Sequence, residues 1–240
     1  MKIPVEGNAS LLYSILMQKM DISFLHLIPL LLLVQIQVFA QDNQDPLWNY
    51  RTGRDLESRS RMGEAQNYYN EAIRISNNAI SRNTANRDTY TALIWTLHRQ
   101  RKYADVITWG ERGLRLYADE YRIMETMGEA YFYLDNYDLS LRYLQRFTNS
   151  VPRGERTPVA YFFIGEIHRY RNQFLHADIA YSTAVRLEPN VALWWYRLGT
   201  VREAAGDHPQ AVTAYGQALR ITPYYPEASE GFARSRRFTQ

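Results

Sequence analysis

The side chains that could do chemistry are scattered along the chain rather than grouped. Five histidines occur in 240 residues, and no two have the His-x3-His spacing that would place two imidazoles on one helix face for a metal ion. Glu166 and His168 would lie about 200° apart around a helix axis, so they would not converge on one ligand. We therefore expect structural or exposed histidines and no metal site, for all of His26, His98, His168, His176 and His208.

Acids and nucleophiles give the same result. Glu125 and Glu129 are four residues apart, which on a helix usually makes a solvated face, and acid–base catalysis would need a pocket that separates their pKa values. The chain has no cysteine, which excludes disulfides, thiolate metal sites and cysteine nucleophiles. Phosphate-binding glycine loops, the G-x-S-x-G motif and the H-E-x-x-H motif do not occur. We expect no cofactor and no enzyme activity.

Composition favours a folded, helical interaction protein. Hydrophobic residues make up 46% of the chain and aromatic residues 14%, which is enough for a core and argues against disorder. The 28 basic and 25 acidic residues are spread through the chain, and only Arg234, Arg236 and Arg237 form a small basic group. We therefore expect no nucleic-acid partner.

The sequence instead contains an internal repeat of 34 residues. The last full copy carries Trp195, Leu198, Gly199, Ala211, Tyr215, Ala218 and Pro223, and the copy before it carries Tyr161, Ile164, Gly165, Ala177, Tyr181, Ala184 and Pro189. Their i, i+3, i+4, i+7 spacing predicts two amphipathic helices that fold back on each other. A glycine within a helix costs about 1 kcal/mol relative to alanine, so we expect Gly165 and Gly199 to allow close approach of Ala177 and Ala211.

At these residues the chain resembles the tetratricopeptide repeat family, with its pattern W-x2-L-G-x2-Y…A-x3-F…P. An earlier copy carries Met124, Met127, Gly128, Tyr131, Ser140, Leu144, Phe147 and Pro152, and a weaker one runs from Tyr90 to Gly113, with Ile94 in place of the small residue. The resemblance implies an all-α fold, a right-handed α-solenoid of antiparallel helical hairpins with a C-terminal capping helix.

The repeat register divides the chain into units. After a linker at 41–45, we expect a degenerate repeat at 46–86, a weak repeat at 87–120, three repeats at 121–157, 158–191 and 192–225, and the capping helix at 226–240. The Asn- and Ser-rich segment 77–86 is typical of a loop or a frayed helix end.

Residues 1–40 have the pattern of a targeting segment. Residues 22–38 are almost wholly apolar, and Val38-Phe39-Ala40 places small residues before Gln41, as in a cleaved signal peptide. The alternatives are an inner-membrane anchor formed by residues 22–40 and a true start at Met20. We expect an exported protein, periplasmic or associated with the cell envelope, that touches the membrane only through this segment if it is not cleaved.

The resemblance also places a binding site. In the family, the first helices of the repeats line a concave groove that holds a partner protein or peptide. The matching positions predict partner-binding residues at Trp95, His98, Glu125, Glu129, Phe132, Phe162, Glu166, Arg169 and Tyr196. Aligned acids at Glu129 and Glu166 favour a partner with basic and apolar side chains. The alternative is that Phe132, Phe162 and Tyr170 only pack on neighbouring helices.

The function that follows is a non-catalytic, exported scaffold for a partner protein or peptide, within a cell-envelope assembly or a secretion complex. The alternative is an enzyme or a glycan-processing accessory that acts on cell-wall material.

Overall fold

The computed structural model describes residues 44–239, and this part of the chain is all α-helical, without strands. Its helices are α1 (Pro46–Ser58), α2 (Met62–Ser81), α3 (Arg87–Arg99), α4 (Tyr103–Leu116), α5 (Tyr121–Tyr133), α6 (Tyr137–Ser150), α7 (Thr157–Tyr170), α8 (Phe174–Leu187), α9 (Ala192–Ala204), α10 (His208–Ile221) and α11 (Pro226–Arg236). Each helix packs against the next one along the chain. The expected all-α solenoid is confirmed, whereas the predicted signal peptide or anchor at 1–40 lies outside the described residues.

The turn inside each of the five hairpins is built in the same way. One residue takes a left-handed backbone conformation with φ between 56° and 81°, namely Ser60, Arg101, Asp135, Asn172 and Gly206. The next backbone amide donates a hydrogen bond of 2.9 Å to the carbonyl five residues earlier, as from Lys102 to Leu97. This is the Schellman ending of a helix, which satisfies carbonyls that the helix leaves free. Because all five turns share it, the first helices of the hairpins follow one another in a regular series.

The repeated glycines let a tyrosine ring touch the backbone of the first helix. A Cβ atom on Gly165 would lie 2.6 Å from the ring of Tyr181, and one on Gly199 would lie 2.6 Å from the ring of Tyr215. Both tyrosines are fully buried. The expectation that Ala177 and Ala211 fill these spaces is therefore wrong, because the tyrosine one helical turn further along occupies them.

The second hairpin uses its small residues at a different interface. Ile94, at the glycine position of α3, is fully buried. The glycines lie instead on α4, where an added Cβ would meet Met127 at Gly110 and Ile123 at Gly113, both from α5. The close approach of helices therefore occurs between α4 and α5, at the contact with the next hairpin, and not between α3 and α4.

The Asn- and Ser-rich segment is helical as far as Ser81, so the predicted loop or frayed end is shorter than expected. Ser76 is fully buried and its hydroxyl lies 3.4 Å from the carbonyl oxygen of Thr89. Ile80 is buried in the cluster that contains Tyr90. Packing against the next hairpin outweighs the weak helix propensity of asparagine and serine here.

The last helix closes the stack as expected. α11 packs on α10 and α9, with Ala228 and Gly231 buried and the side chains of Glu227 and Glu230 exposed. One apolar face thus covers the preceding hairpin while a polar face meets solvent, as a terminal repeat requires. Across residues 44–239, no helix is both long enough and apolar enough to cross a bilayer.

Candidate partner-binding surface

The predicted site residues lie on α3, α5, α7 and α9, which together with α1 are the first helices of the hairpins. Their shared surface is called here the first-helix face. Neighbouring first helices are in contact from α1 to α3, from α3 to α5 and from α5 to α7. Side chains from different repeats therefore meet on this face although they are more than 30 residues apart.

The two predicted carboxylates on α5 are buried and paired within the chain. Glu125 and Glu129 are each 5% exposed. Arg156, the residue just before α7, donates from Nε to Glu125 at 2.9 Å and from its terminal nitrogen to Glu129. One guanidinium therefore bridges two acids across the α5–α7 contact.

His98 completes this cluster from α3, with Nε2 at 3.3 Å from a carboxylate oxygen of Glu129. Burial lowers the pKa of His98 to about 4, and the positive charges of Arg156 and Arg99 act in the same direction. Burial also raises the pKa of Glu129 well above its usual range, as does the neighbouring charge of Glu125. His98 is therefore neutral near neutral pH, and Glu129 holds a proton readily.

Glu166 on α7 is likewise held by its neighbours. It is 5% exposed and pairs with Arg169 at 2.8 Å and with Arg197 of α9 at 3.1 Å. The Tyr181 hydroxyl donates a short hydrogen bond to the same carboxylate. Arg169 thus pairs within α7, and its guanidinium lies 4.4 Å from the ring centre of Tyr170.

Three ion pairs that link successive repeats share a separation of 31 residues, although their glutamates occupy different positions in the repeat. A glutamate on one first helix binds an arginine on or just before the next, in the pairs Glu125–Arg156 at 2.9 Å, Glu166–Arg197 at 3.1 Å and Glu203–Arg234 at 2.9 Å. The sequence carries this signal, since a Glu and an Arg recur at the same separation in three repeats. The acids therefore join repeats to each other.

The first-helix face is consequently not the anionic surface that the sequence suggested. Glu129 and Glu166 do fall in the same repeat position, but each is buried against arginine, so neither presents a free charge. Arg101, in contrast, is exposed, and no carboxylate between residues 44 and 239 forms an ion pair with it. The expectation of a basic partner rested on free acids at these two positions, so the structure does not support it.

Aromatic side chains form a continuous series along this face. Neighbouring rings lie 4.7–5.9 Å apart, and the set is called here the aromatic ribbon. It runs through Tyr103, Tyr133 and Phe132 and then branches, with one branch to Tyr137 and Tyr170 and the other to Phe163, Phe162 and Trp194. Two of its stacks are related by the repeat, Tyr103 on Tyr133 and Tyr137 on Tyr170. Tyr133 is 47% exposed and Tyr170 is 52% exposed, so the ribbon reaches solvent at both.

The predicted aromatic residues lie in or beside this ribbon. Phe132 and Phe162 are half-buried members of it, with Phe162 stacked on Trp194 at 5.6 Å. Trp95 is half-buried against Tyr50 of α1, at 5.3 Å between ring centres. Tyr196 is half-buried between the rings of two other tyrosines, Tyr215 and Tyr225.

The sequence-based prediction missed Tyr103 and Tyr137. A signal existed, because Tyr103 and Tyr137 are 34 residues apart and each begins the second helix of its hairpin. Tyr133 and Tyr170 likewise end the first helices α5 and α7. Residues at the turns thus contribute to a face that the family positions assign to the middle of the first helix.

A cleft of about 480 Å³ opens at one end of the ribbon, where α1, α3, the α3–α4 turn and α5 meet. It is lined by Glu57, His98, Arg99, Arg101, Tyr103 and Tyr133. Glu57 accepts hydrogen bonds from Tyr69 at 2.6 Å and from Arg99 at 2.9 Å. The cleft therefore combines aromatic walls with charged groups, of which Arg101 lacks an acidic partner within the described chain.

Comparisons with known proteins agree with this fold. Residues 164–226 match the tetratricopeptide repeat family model, which confirms the resemblance seen in the sequence. No curated protein matches the chain by sequence.

Solved structures share the fold at low sequence identity. The crystal structure of the MamA protein superposes with a TM-score of 0.60 and 18% identity, covering 74% of this chain and 92% of that one. YrrB, described as a TPR protein with an unusual peptide-binding site, superposes with a TM-score of 0.52 and 17% identity, covering 81% of this chain and 95% of that one. TTC0263, a thermophilic TPR protein of Thermus thermophilus, superposes with a TM-score of 0.55 and 17% identity, covering 80% of this chain and 98% of that one. At these identities the likeness shows the fold alone.

Proposed function

We propose that this tetratricopeptide repeat protein is a non-catalytic scaffold that binds a partner protein or peptide on its first-helix face, along the aromatic ribbon. The observation that carries the proposal is the exposure of Tyr133 and Tyr170, about half each, at the edge of an otherwise packed series of rings.

Such tyrosines suit a binding surface for a physical reason. Their rings bury large apolar areas, and their hydroxyls hydrogen-bond in a wet interface. Both rings are already held by stacking, Tyr133 on Tyr103 and Tyr170 on Tyr137, so binding would freeze little side-chain motion. Preordered aromatic residues of this kind are enriched among the residues that dominate interface energies.

The fold supports the same proposal in general terms. Stacked helical hairpins make an extended surface without a deep enclosed pocket, which suits a chain-like partner. YrrB, a protein of this fold, is described as having a peptide-binding site, which supports a peptide as the class of partner.

The absence of catalysis is part of the proposal. The buried acids on the first-helix face are tied to arginines that join repeats, so they are not free to act on a substrate. Between residues 44 and 239, no group of three or more His, Asp or Glu side chains could hold a metal ion. We therefore prefer a scaffold to an enzyme or glycan-processing accessory.

We also propose that the protein is exported and works in the cell envelope, within an assembly or a secretion complex. The support is the apolar segment 22–38 followed by Val38-Phe39-Ala40. The intact mass of the protein recovered from the envelope fraction tests this point: a chain beginning at Gln41 is expected, and a mass that includes residues 20–40 would indicate an anchor instead.

Site-specific photo-crosslinking in cells tests the binding face. A photoreactive phenylalanine analogue is placed at Tyr133 or Tyr170, and at Tyr224 as the control, which is 96% exposed but lies outside the ribbon. We expect the same partner to be captured from both ribbon positions and not from Tyr224. Capture from Tyr224 alone would move the binding site away from the first-helix face.

A further inference from the structure

Charge balance within the cleft at the end of the ribbon identifies the chemistry of the partner. We propose that this cleft binds an acidic residue of the partner segment at Arg101, with an aromatic residue of the same segment against Tyr133. The inference rests on the proposed function and names the partner's chemistry.

The cleft holds one uncompensated positive charge. Glu57 and Arg99 neutralise each other through a contact of 2.9 Å, and the Tyr69 hydroxyl also binds Glu57. His98 adds no charge near neutral pH, because burial lowers its pKa to about 4. Arg101 remains, exposed and without an ion pair to any of residues 44–239. A single carboxylate would balance the cleft.

The backbone at Arg101 gives an independent reason. Its φ is 59°, a left-handed conformation in which a Cβ atom is unfavourable and which Gly, Asn or Asp adopts more easily than Arg. The other four hairpin turns place short residues at this position: Ser60, Asp135, Asn172 and Gly206. An arginine here weakens the turn, and no ion pair within the described chain compensates. Such local conflicts are typical of residues kept for binding.

The walls of the cleft define the rest of the ligand. Tyr103 and Tyr133 stack at 4.7 Å, and Tyr133 keeps about half of its surface free for another ring. Offset or edge-to-face contact with an aromatic side chain of the partner would continue the ribbon. A phosphate group fits less well than a carboxylate, because the Glu57 carboxylate also lines the cleft and would repel a dianion more strongly.

The test is an array of immobilised eight-residue peptides probed with the full-length chain. The central pair is Glu-Tyr, Lys-Tyr, Glu-Ala, Ala-Tyr or phosphoserine-Tyr, and the flanking positions are randomised. Three variants are compared with the wild type. Arg101→Ser introduces the residue type that Ser60 supplies in the first hairpin turn, and Arg101→Glu reverses the charge. Lys102→Ser removes a positive charge from the next residue, which does not line the cleft.

We expect the wild type to prefer Glu-Tyr peptides over all other pairs. Arg101→Ser should lose this preference by about tenfold, the size expected for one charge-assisted hydrogen bond, and Arg101→Glu should prefer Lys-Tyr. Lys102→Ser should behave like the wild type. Equal losses in Arg101→Ser and Lys102→Ser would mean that only the general field of the protein acts, which overturns the site.

The outcomes separate this inference from the proposed function. Preference for Tyr-containing peptides regardless of charge would overturn the acidic-residue site and leave the ribbon as a binding surface. Preference for phosphoserine-Tyr would overturn the choice of a carboxylate. If none of the peptides bound at millimolar concentration, both the acidic-residue site and the ribbon as a peptide-binding surface would be contradicted.

Discussion

Two glycine-to-alanine substitutions on adjacent helices should change stability in opposite directions. Gly199 on α9 faces the ring of Tyr215, and a Cβ there would lie 2.6–2.9 Å from three ring carbons. The ring has little room to move, because Gly231 of α11 lies against its Cζ end and the Tyr215 hydroxyl is bound to Glu203 at 2.6 Å. At Gly216 on α10, by contrast, an added Cβ would meet only one atom, a ring carbon of Phe232 at the ordinary van der Waals distance of 3.6 Å.

The magnitudes follow from two opposing terms. Replacing a helical glycine by alanine gains about 1 kcal/mol from helix propensity at both positions. At Gly199 the overlap with a caged ring adds an overpacking cost of about 3 kcal/mol, so Gly199→Ala should lower the free energy of unfolding by about 2 kcal/mol. At Gly216 no overlap arises, so Gly216→Ala should raise the free energy of unfolding by about 1 kcal/mol.

Urea unfolding followed by circular dichroism measures both variants against the wild type. Thermal melts should show the same order, with a change of about 2–4 °C per kcal/mol for a domain of this size. If both variants were stabilised, Tyr215 would not be confined between α9 and α11. If both were destabilised alike, the helix register at Gly216 would be wrong.

Two further predictions concern the polar cluster on the first-helix face. Arg156→Ala leaves Glu125 and Glu129 buried without their shared partner and should lower the free energy of unfolding by about 2 kcal/mol, less than for a fully buried arginine because Arg156 is half-exposed. Arg153→Ala, in the same exposed turn, should change the free energy of unfolding by less than about 0.5 kcal/mol, and equal effects in urea unfolding would refute the bridge. His98 has a folded-state pKa of about 4, below its ordinary 6.5, so the unfolded chain takes up this proton first on acidification. The wild type should therefore lose up to about 3 kcal/mol relative to His98→Gln as the pH falls from about 6.5 to 4, and a constant difference between the two proteins across that range would contradict the burial of a neutral imidazole.

The hairpin architecture could be predicted because each repeat carries its own local evidence. Helical periodicity, the turn residues and, in the last three hairpins, the proline after the second helix are all read within about 34 residues, as at Trp195, Gly199 and Pro223. The partner of the glycine was wrong, because Ala211 and Tyr215 lie on the same stripe and spacing does not say which one points at the facing backbone. The predicted loop or frayed end at 77–86 began too early, because the end of α2 is stabilised by the burial of Ser76 and Ile80 against another repeat.

The charge on the candidate surface could not be predicted in the same way. Glu129 and Glu166 were placed correctly in one repeat position, but whether an acid on that face is free depends on arginines about 30 residues away. Arg156 lies before its helix, in an insertion that interrupts the repeat spacing, so the family pattern gave it no position. Arg101 was missed for a related reason, since its place in the cleft and its backbone angle are properties of the folded chain.

Affinity for the partner captured by crosslinking tests the central proposal most directly. The double variant Tyr133→Ala with Tyr170→Ala is compared with Leu175→Ala, which removes a 74%-exposed side chain from a second helix. If the aromatic ribbon is the binding surface, the double variant should bind at least about 30-fold more weakly, equivalent to about 2 kcal/mol. The loss of two stacks of about 1 kcal/mol each should lower its melting temperature by several degrees but leave it folded at the assay temperature, and Leu175→Ala should bind normally. Equal affinities for all three proteins would show that the partner does not use the first-helix face.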